Sequence, residues 1–199
     1  MALLRILIRV SLLVGVVAIT SGSALGAFIM VDNFESLELG PIDGQNDWRA
    51  PDLGTTVALD PADPDNKVLS VITESTYLFH AANIPADASR MLFVRFRYEE
   101  QLSASFGMSQ VLIPNQFGEY DVELSLTSNK DDLRINDDGT YLEVATLEAE
   151  HWYNVWLYID NEADVTSVWM HDRPNEPATR DDQLSIDGRT EFPFRGSVA

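Results

Sequence analysis

The chain has 199 residues, 45% of them hydrophobic and 10% aromatic, which is the composition of one folded domain rather than of a disordered or fibrous chain. Lys and Arg total 13 against 32 Asp and Glu, and the resulting formal charge of -19 repels a phosphate backbone and excludes nucleic acid as a partner. The sequence has no cysteine, so disulfides, thiolate chemistry and lipid-anchoring thiols are absent, and site chemistry falls to carboxylates, three histidines and polar oxygens.

Residues 1–26 read as a secretory signal. Arg5 and Arg9 give a basic start, Val10 to Thr20 is an apolar run, and Ser21 to Gly26 is small and weakly polar. The apolar run is short for a membrane-spanning helix and ends in Ala24-Leu25-Gly26, so cleavage near Gly26 or Ala27 is expected, leaving no transmembrane span. All the acids lie beyond this segment, so the mature domain, residues 27–199, is more acidic than the whole chain. A strongly acidic domain stays soluble in salt, where its self-repulsion is screened. A cysteine-free secreted domain fits a bacterial product, secreted or held outside the cytoplasm at the cell surface or in the periplasm.

No window of the mature region sustains a 3.6-residue apolar period, whereas short alternating or β-branched runs recur between turn residues. In chain order the expected strands are Thr56 to Leu59, Lys67 to Thr73, Met91 to Tyr98, Ser105 to Leu112, Tyr120 to Thr127, Asp132 to Ile135, Tyr141 to Leu147, Trp152 to Asp160 and Val165 to Met170. Asp60 to Asn66, Ile113-Pro114-Asn115 and Asp137 to Thr140 are turns by their Pro, Asn or Asp-Gly content, with Asp138-Gly139 the strongest hairpin signal. With no helix to cover a sheet, apolar faces can be buried only sheet against sheet. The expected fold is all-β, a two-sheet antiparallel β-sandwich of jelly-roll type.

Val31 to Trp48 resembles the opening of bacterial secreted domains of the concanavalin A-like lectin/glucanase superfamily, laminin-G-like type. Asp60-Pro61 through Asn66-Lys67-Val68-Leu69-Ser70-Val71 is similar to that group's first turn and strand, and Trp152 to Asn161 to its central Trp-to-Asp strand. The resemblance spans about Asp32 to Met170 and rests on structural motifs, so it implies the sandwich more than an activity. Such domains close with a further strand that has no counterpart before Arg195-Gly196-Ser197-Val198-Ala199, which implies either a different closure or residues beyond Ala199.

Two strands carry candidate chemistry. In Glu119 to Leu126 the period of two places Glu119, Asp121, Glu123 and Ser125 on one face and Tyr120, Val122, Leu124 and Leu126 on the other. The E-x-D-x-E spacing is similar to the catalytic strand of lichenase- and laminarinase-like hydrolases, which implies Glu119 as nucleophile, Asp121 as its helper and Glu123 as acid/base. Gln116-Phe117-Gly118 stands where those hydrolases carry a Trp. The two Glu backbones would be roughly 13 Å apart along the strand, and retention needs their carboxyls at about 5 to 5.5 Å. A solvated or ligand-binding acidic face is the simpler expectation, and an E-x-D-x-E is unsurprising in so acidic a chain.

In Trp152 to Asp160 the faces are Trp152, Asn154, Trp156, Tyr158 and Tyr153, Val155, Leu157, Ile159. The second is core. The first could floor a sugar groove, since a pyranose stacks its C–H face on indole or phenol and its hydroxyls need polar partners. The alternative is that these rings pack under neighbouring strands, as Trp48, following a turn, is expected to plug the core. Asp60, Asp63 and Asp65 crowd oxygens into one turn, giving a structural calcium site as the alternative to a solvated Pro-Asp turn, although the EF-hand spacing and its Gly are missing. His80, His151 and His171 lack metal-ligand spacing and are expected at the surface or at strand ends; Asp131-Asp132 and Asp181-Asp182 are expected as solvated pairs. Together these readings give a secreted non-catalytic module that binds a polysaccharide or glycan through Trp152, Asn154, Trp156, Tyr158, Glu119, Asp121 and Glu123, without a cofactor. The alternatives are a glucan hydrolase using Glu119, Asp121 and Glu123, and an envelope adhesion or scaffold module that binds protein. Oligomeric state is left open.

Overall fold

The computed structural model of the full chain describes residues 6–8, 13–15, 28–30, 32–50, 55–71, 80, 88–98, 104–109, 120–126 and 131–194. Its strands are β1 (Ile6–Ile8), β2 (Leu13–Gly15), β3 (Phe28–Met30), β4 (Gly40–Pro41), β5 (Thr55–Asp60), β6 (Asp63–Val71) and β7 (Ser89–Tyr98). They continue with β8 (Ala104–Ser109), β9 (Tyr120–Leu126), β10 (Asp132–Asp137), β11 (Thr140–Thr146), β12 (His151–Asp160), β13 (Val165–His171) and β14 (Glu191–Pro193). Among the described residues the only helical element is one 3-10 turn, Arg180–Asp182.

All described pairings are antiparallel. A ten-stranded sheet runs β14-β13-β12-β7-β1-β6-β5-β4, with β2 joining β7 and β3, and a four-stranded sheet runs β11-β10-β9-β8. Alternation along β7 and β12 explains why the sheets stack. Leu92, Val94, Phe96 and Tyr98 of β7 and Tyr153, Val155, Leu157 and Ile159 of β12 are buried in one cluster with Val122, Leu124 and Leu126 of β9 and Leu133 and Ile135 of β10. This shared layer makes the molecule a β-sandwich, and Phe192 and Phe194 close it at one edge. A second cluster, Phe34, Leu37, Ile42, Trp48, Val57, Leu69 and Val71, lies beneath the segment that precedes β5.

Each of the nine expected strands has its counterpart. The Asp138-Gly139 hairpin forms as its composition requires, with φ of 52° and 92° at its two central residues, a type I′ geometry that matches strand twist. The turn expected over Asp60 to Asn66 is shorter. Only Pro61 and Ala62 turn, and Asp63 to Asn66 already belong to β6, because a register shift at Leu59/Asp60 lets Asp60 pair directly with Asp63. β1 and β2 fall inside the expected leader, and Ile6, Leu7 and Ile8 pair with Val71, Ser70 and Leu69 of β6. The turn Ile113-Pro114-Asn115, the expected cleavage site and Arg195 to Ala199 lie outside the described residues.

The segment before β5 is held by one buried carboxylate. Asp32 Oδ1 accepts from the Phe34 N–H at 2.7 Å, and Asp32 Oδ2 accepts from Trp48 Nε1 at 2.8 Å and Asn46 Nδ2 at 2.9 Å. These bonds satisfy a charge that is 4% exposed and seat Trp48, 3% exposed, over Phe34 at a ring separation of 5.8 Å.

Candidate functional site

The outer face of the large sheet gathers aromatic side chains across three strands. Because Tyr153, Val155, Leu157 and Ile159 point into the core, Trp152, Asn154, Trp156 and Tyr158 of β12 point away from it. Register then fixes their neighbours in four rows. Trp152 lies opposite Arg97; Asn154 lies between Arg95 of β7 and His171 of β13; Trp156 between Phe93 and Trp169; Tyr158 between Met91 and Ser167. The row of Phe93, Trp156 and Trp169 spans three strands, and all three rings are half-buried. Trp156 is the hub. Its ring is 5.0 Å from Phe93 and 4.8 Å from His171, both tilted at 46°. Arg95 lies over Trp152 at 5.0 Å. Rings held by cross-strand neighbours lose little freedom when a ligand stacks on them, which favours binding.

The polar groups of this face are more buried than its rings. Asn154 is 5% exposed and its Nδ2 donates to the Arg173 carbonyl at 2.9 Å. His171 is 6% exposed; its Nδ1 accepts from the Arg173 N–H at 3.2 Å, while its Nε2 is buried without a hydrogen-bond partner. His171 is therefore a strand-end residue as expected, but not a surface one, because Trp156 packs on its ring.

The acidic strand faces the other way. Val122, Leu124 and Leu126 enter the shared core, so Glu123 lies on the outer face of the small sheet, on the opposite side of the sandwich from Trp156. The expected single site combining Trp152, Asn154, Trp156 and Tyr158 with Glu123 is thus corrected: two sheets separate them. Register places Gly107, Glu123, Asn136 and Tyr141 in one row across β8 to β11. Glu123 is 3% exposed, and its Oε2 accepts from Asn136 Nδ2 at 2.9 Å and from the Tyr141 hydroxyl at 2.7 Å. It is neither solvated nor free to lean toward a second carboxyl. Glu119 lies outside the described residues and Asp121 is described only by its backbone in β9.

The Asp-rich turn is also committed. Asp60 Oδ1 accepts from the Ala62 N–H at 2.9 Å, Asp60 Oδ2 from Asn66 Nδ2 at 3.4 Å, and Asp63 Oδ1 from the Asp65 N–H at 3.4 Å. Among the described residues no three His, Asp or Glu side chains are gathered closely enough to hold a metal ion.

Two acid pairs expected in solvent are engaged instead. Asp131 Oδ1 accepts from the Tyr98 hydroxyl at 2.7 Å, and Asp132, 2% exposed, is paired with Arg134 at 2.8 Å. Burial first, and then this bond to Asp131, push the Tyr98 phenol above its ordinary range. Asp182 receives Arg173 through both carboxylate oxygens, at 2.9 and 2.7 Å, and also accepts from the Thr179 N–H at 2.7 Å. The guanidinium, followed by the Thr179 N–H, holds the Asp182 carboxyl well below the usual carboxylate range. This clamp fixes the segment whose Arg173 backbone supports both Asn154 and His171.

Comparison of the chain with protein-family models, with curated proteins and with solved structures finds no match. Among the described residues no helix is long and apolar enough to cross a membrane.

Proposed function

We propose that the chain is a secreted, non-catalytic carbohydrate-binding module of concanavalin A-like type, released by cleavage near Gly26 or Ala27, whose glycan lies on the outer face of the large sheet. The observation that carries this reading is the row of Phe93, Trp156 and Trp169, half-buried rings aligned across β7, β12 and β13 on the side away from the core. A pyranose laid on Trp156 would have the donors of Asn154's row on one side and the Tyr158 row on the other, which suits a chain of sugars better than a flat protein surface. The hydrolase alternative finds less support. Glu123 is enclosed and its Oε2 already accepts from two donors, and it has no place on the aromatic face.

The test is a screen of the secreted protein against immobilised plant, algal and microbial polysaccharides, repeated with Trp156→Ala. Retention on at least one polysaccharide that falls about tenfold or more in the variant is expected. Equal retention of the two proteins, or cleavage of a glucan that Glu123→Gln abolishes, would overturn the reading.

A further inference from the structure

The polar atoms facing the aromatic row are sorted by hydrogen-bonding sense. Arg95, Asn154 and His171 form one row across three strands, directly beside Phe93, Trp156 and Trp169. A guanidinium only donates. In His171 the Arg173 N–H donates to Nδ1, which assigns the proton to Nε2, and that buried N–H has no acceptor. A buried unsatisfied donor carries a desolvation cost that an arriving acceptor removes. Asn154 has its amide nitrogen committed to the Arg173 carbonyl.

Charge points the same way. In a chain of formal charge -19, alternation along β7 sets two arginines, Arg95 and Arg97, on this one face. Arg97 is engaged, its Nε donating to the Glu150 carbonyl at 3.2 Å and its Nη1 lying 4.0 Å from Asp60. Arg95 stacks over Trp152, an arrangement that fixes a guanidinium plane while leaving its charge in place. Neutral sugar hydroxyls call for acceptors as well as donors, whereas a row led by Arg and His N–H groups calls for an acceptor-rich, anionic substituent.

Resting on the reading that this face binds glycan, we propose that the glycan is a polyuronate: one uronic-acid ring stacks on Trp156, its carboxylate is received by Arg95, and an oxygen of the same or the next sugar accepts from His171 Nε2. Adjacent strands are about 4.8 Å apart, so Arg95 and His171 flank Trp156 at a span of roughly one to two sugar units. At physiological salt the Debye length is about 8 Å, so acids elsewhere on the molecule are screened while the contact at Arg95 is not.

The experiment is calorimetric titration of the secreted protein, at 0.15 M salt, with an oligogalacturonate, its methyl ester, a sulfated galactan oligomer and a neutral gluco-oligosaccharide. The acid is expected to bind about tenfold or more tightly than its ester, as one charge-assisted contact predicts. Arg95→Gln should bring that ratio close to one, Arg95→Lys should keep part of it, and Trp156→Ala should weaken acid and ester together. The two arginine variants guard against misfolding, since loss in Gln with partial retention in Lys cannot come from an unfolded sheet. Acid and ester binding equally, with both lost in Trp156→Ala, would overturn the polyuronate assignment while leaving glycan binding intact. Tighter binding of the sulfated oligomer than of the galacturonate would overturn the carboxylate. No binding of any of the four, together with no retention in the polysaccharide screen, would overturn both.

Discussion

Acidic residues in this chain do three separate jobs, and their abundance in the sequence hides all of them. Of the nine non-glycine residues with positive φ among those described, seven are Asn or Asp, the side chains that best tolerate the left-handed region. Others pin segments. Asp32 accepts from three donors, so Asp32→Ala should leave the Trp48 indole N–H and the Phe34 N–H to find new partners and cost about 2 kcal/mol or more in denaturant unfolding. A third group responds to pH. The Asp182 carboxyl is depressed, so its contribution to stability is present above the ordinary Asp value of about 3.9 and is lost as pH falls below it toward the folded value. Melting temperature measured from pH 6 to pH 2 should therefore show a steeper acid limb in the native chain than in Asp182→Asn. The opposite sign applies to Tyr98. Its phenol is raised, so the bond to Asp131 is fully present below about pH 10 and is lost as pH rises beyond it, a loss that Tyr98→Phe should not show.

At the scale of strands, sequence periodicity was sufficient where one face is core and the other is not. Alternation alone separates Tyr153, Val155, Leu157 and Ile159 from Trp152, Asn154, Trp156 and Tyr158, and the structure buries the first set. Leu157 is fully buried between the two sheets, so Leu157→Ala should cost about 2 to 5 kcal/mol of unfolding free energy. Turns were legible when their chemistry was local. Gly139 at a φ of 92° occupies the second position of the β10-β11 hairpin, and Gly139→Ala should cost about 1 kcal/mol or more in the same measurement. What periodicity cannot give is which strands become neighbours. Phe93, His171 and Arg95 each look ordinary in their own strands, and only the pairing of β7 and β13 with β12 brings them beside Trp156. The same ignorance of pairing let Glu123 and Trp156 be placed in one site.

At the scale of the molecule, the sandwich separates two polar-aromatic faces that the sequence presents as one pool of candidates. The small sheet's outer face encloses a hydrogen-bonded Glu123; the large sheet's outer face carries the ring row with buried donors beside it. The leader also belongs to this scale. β1 occupies a place between β6 and β7 in the full chain, so N-terminal sequencing of the secreted product, expected to start at Gly26 or Ala27, would show that the mature sheet forms without it. An intact Met1 in a membrane fraction would instead make the protein an anchored one. The central claim is that glycan is held by the aromatic face and not by the acidic strand. It is tested most directly by comparing the affinity of the native chain, Trp156→Ala and Glu123→Gln for one retained glycan by calorimetry. The account predicts a loss of about tenfold or more for Trp156→Ala and less than about twofold for Glu123→Gln; the reverse order would contradict it.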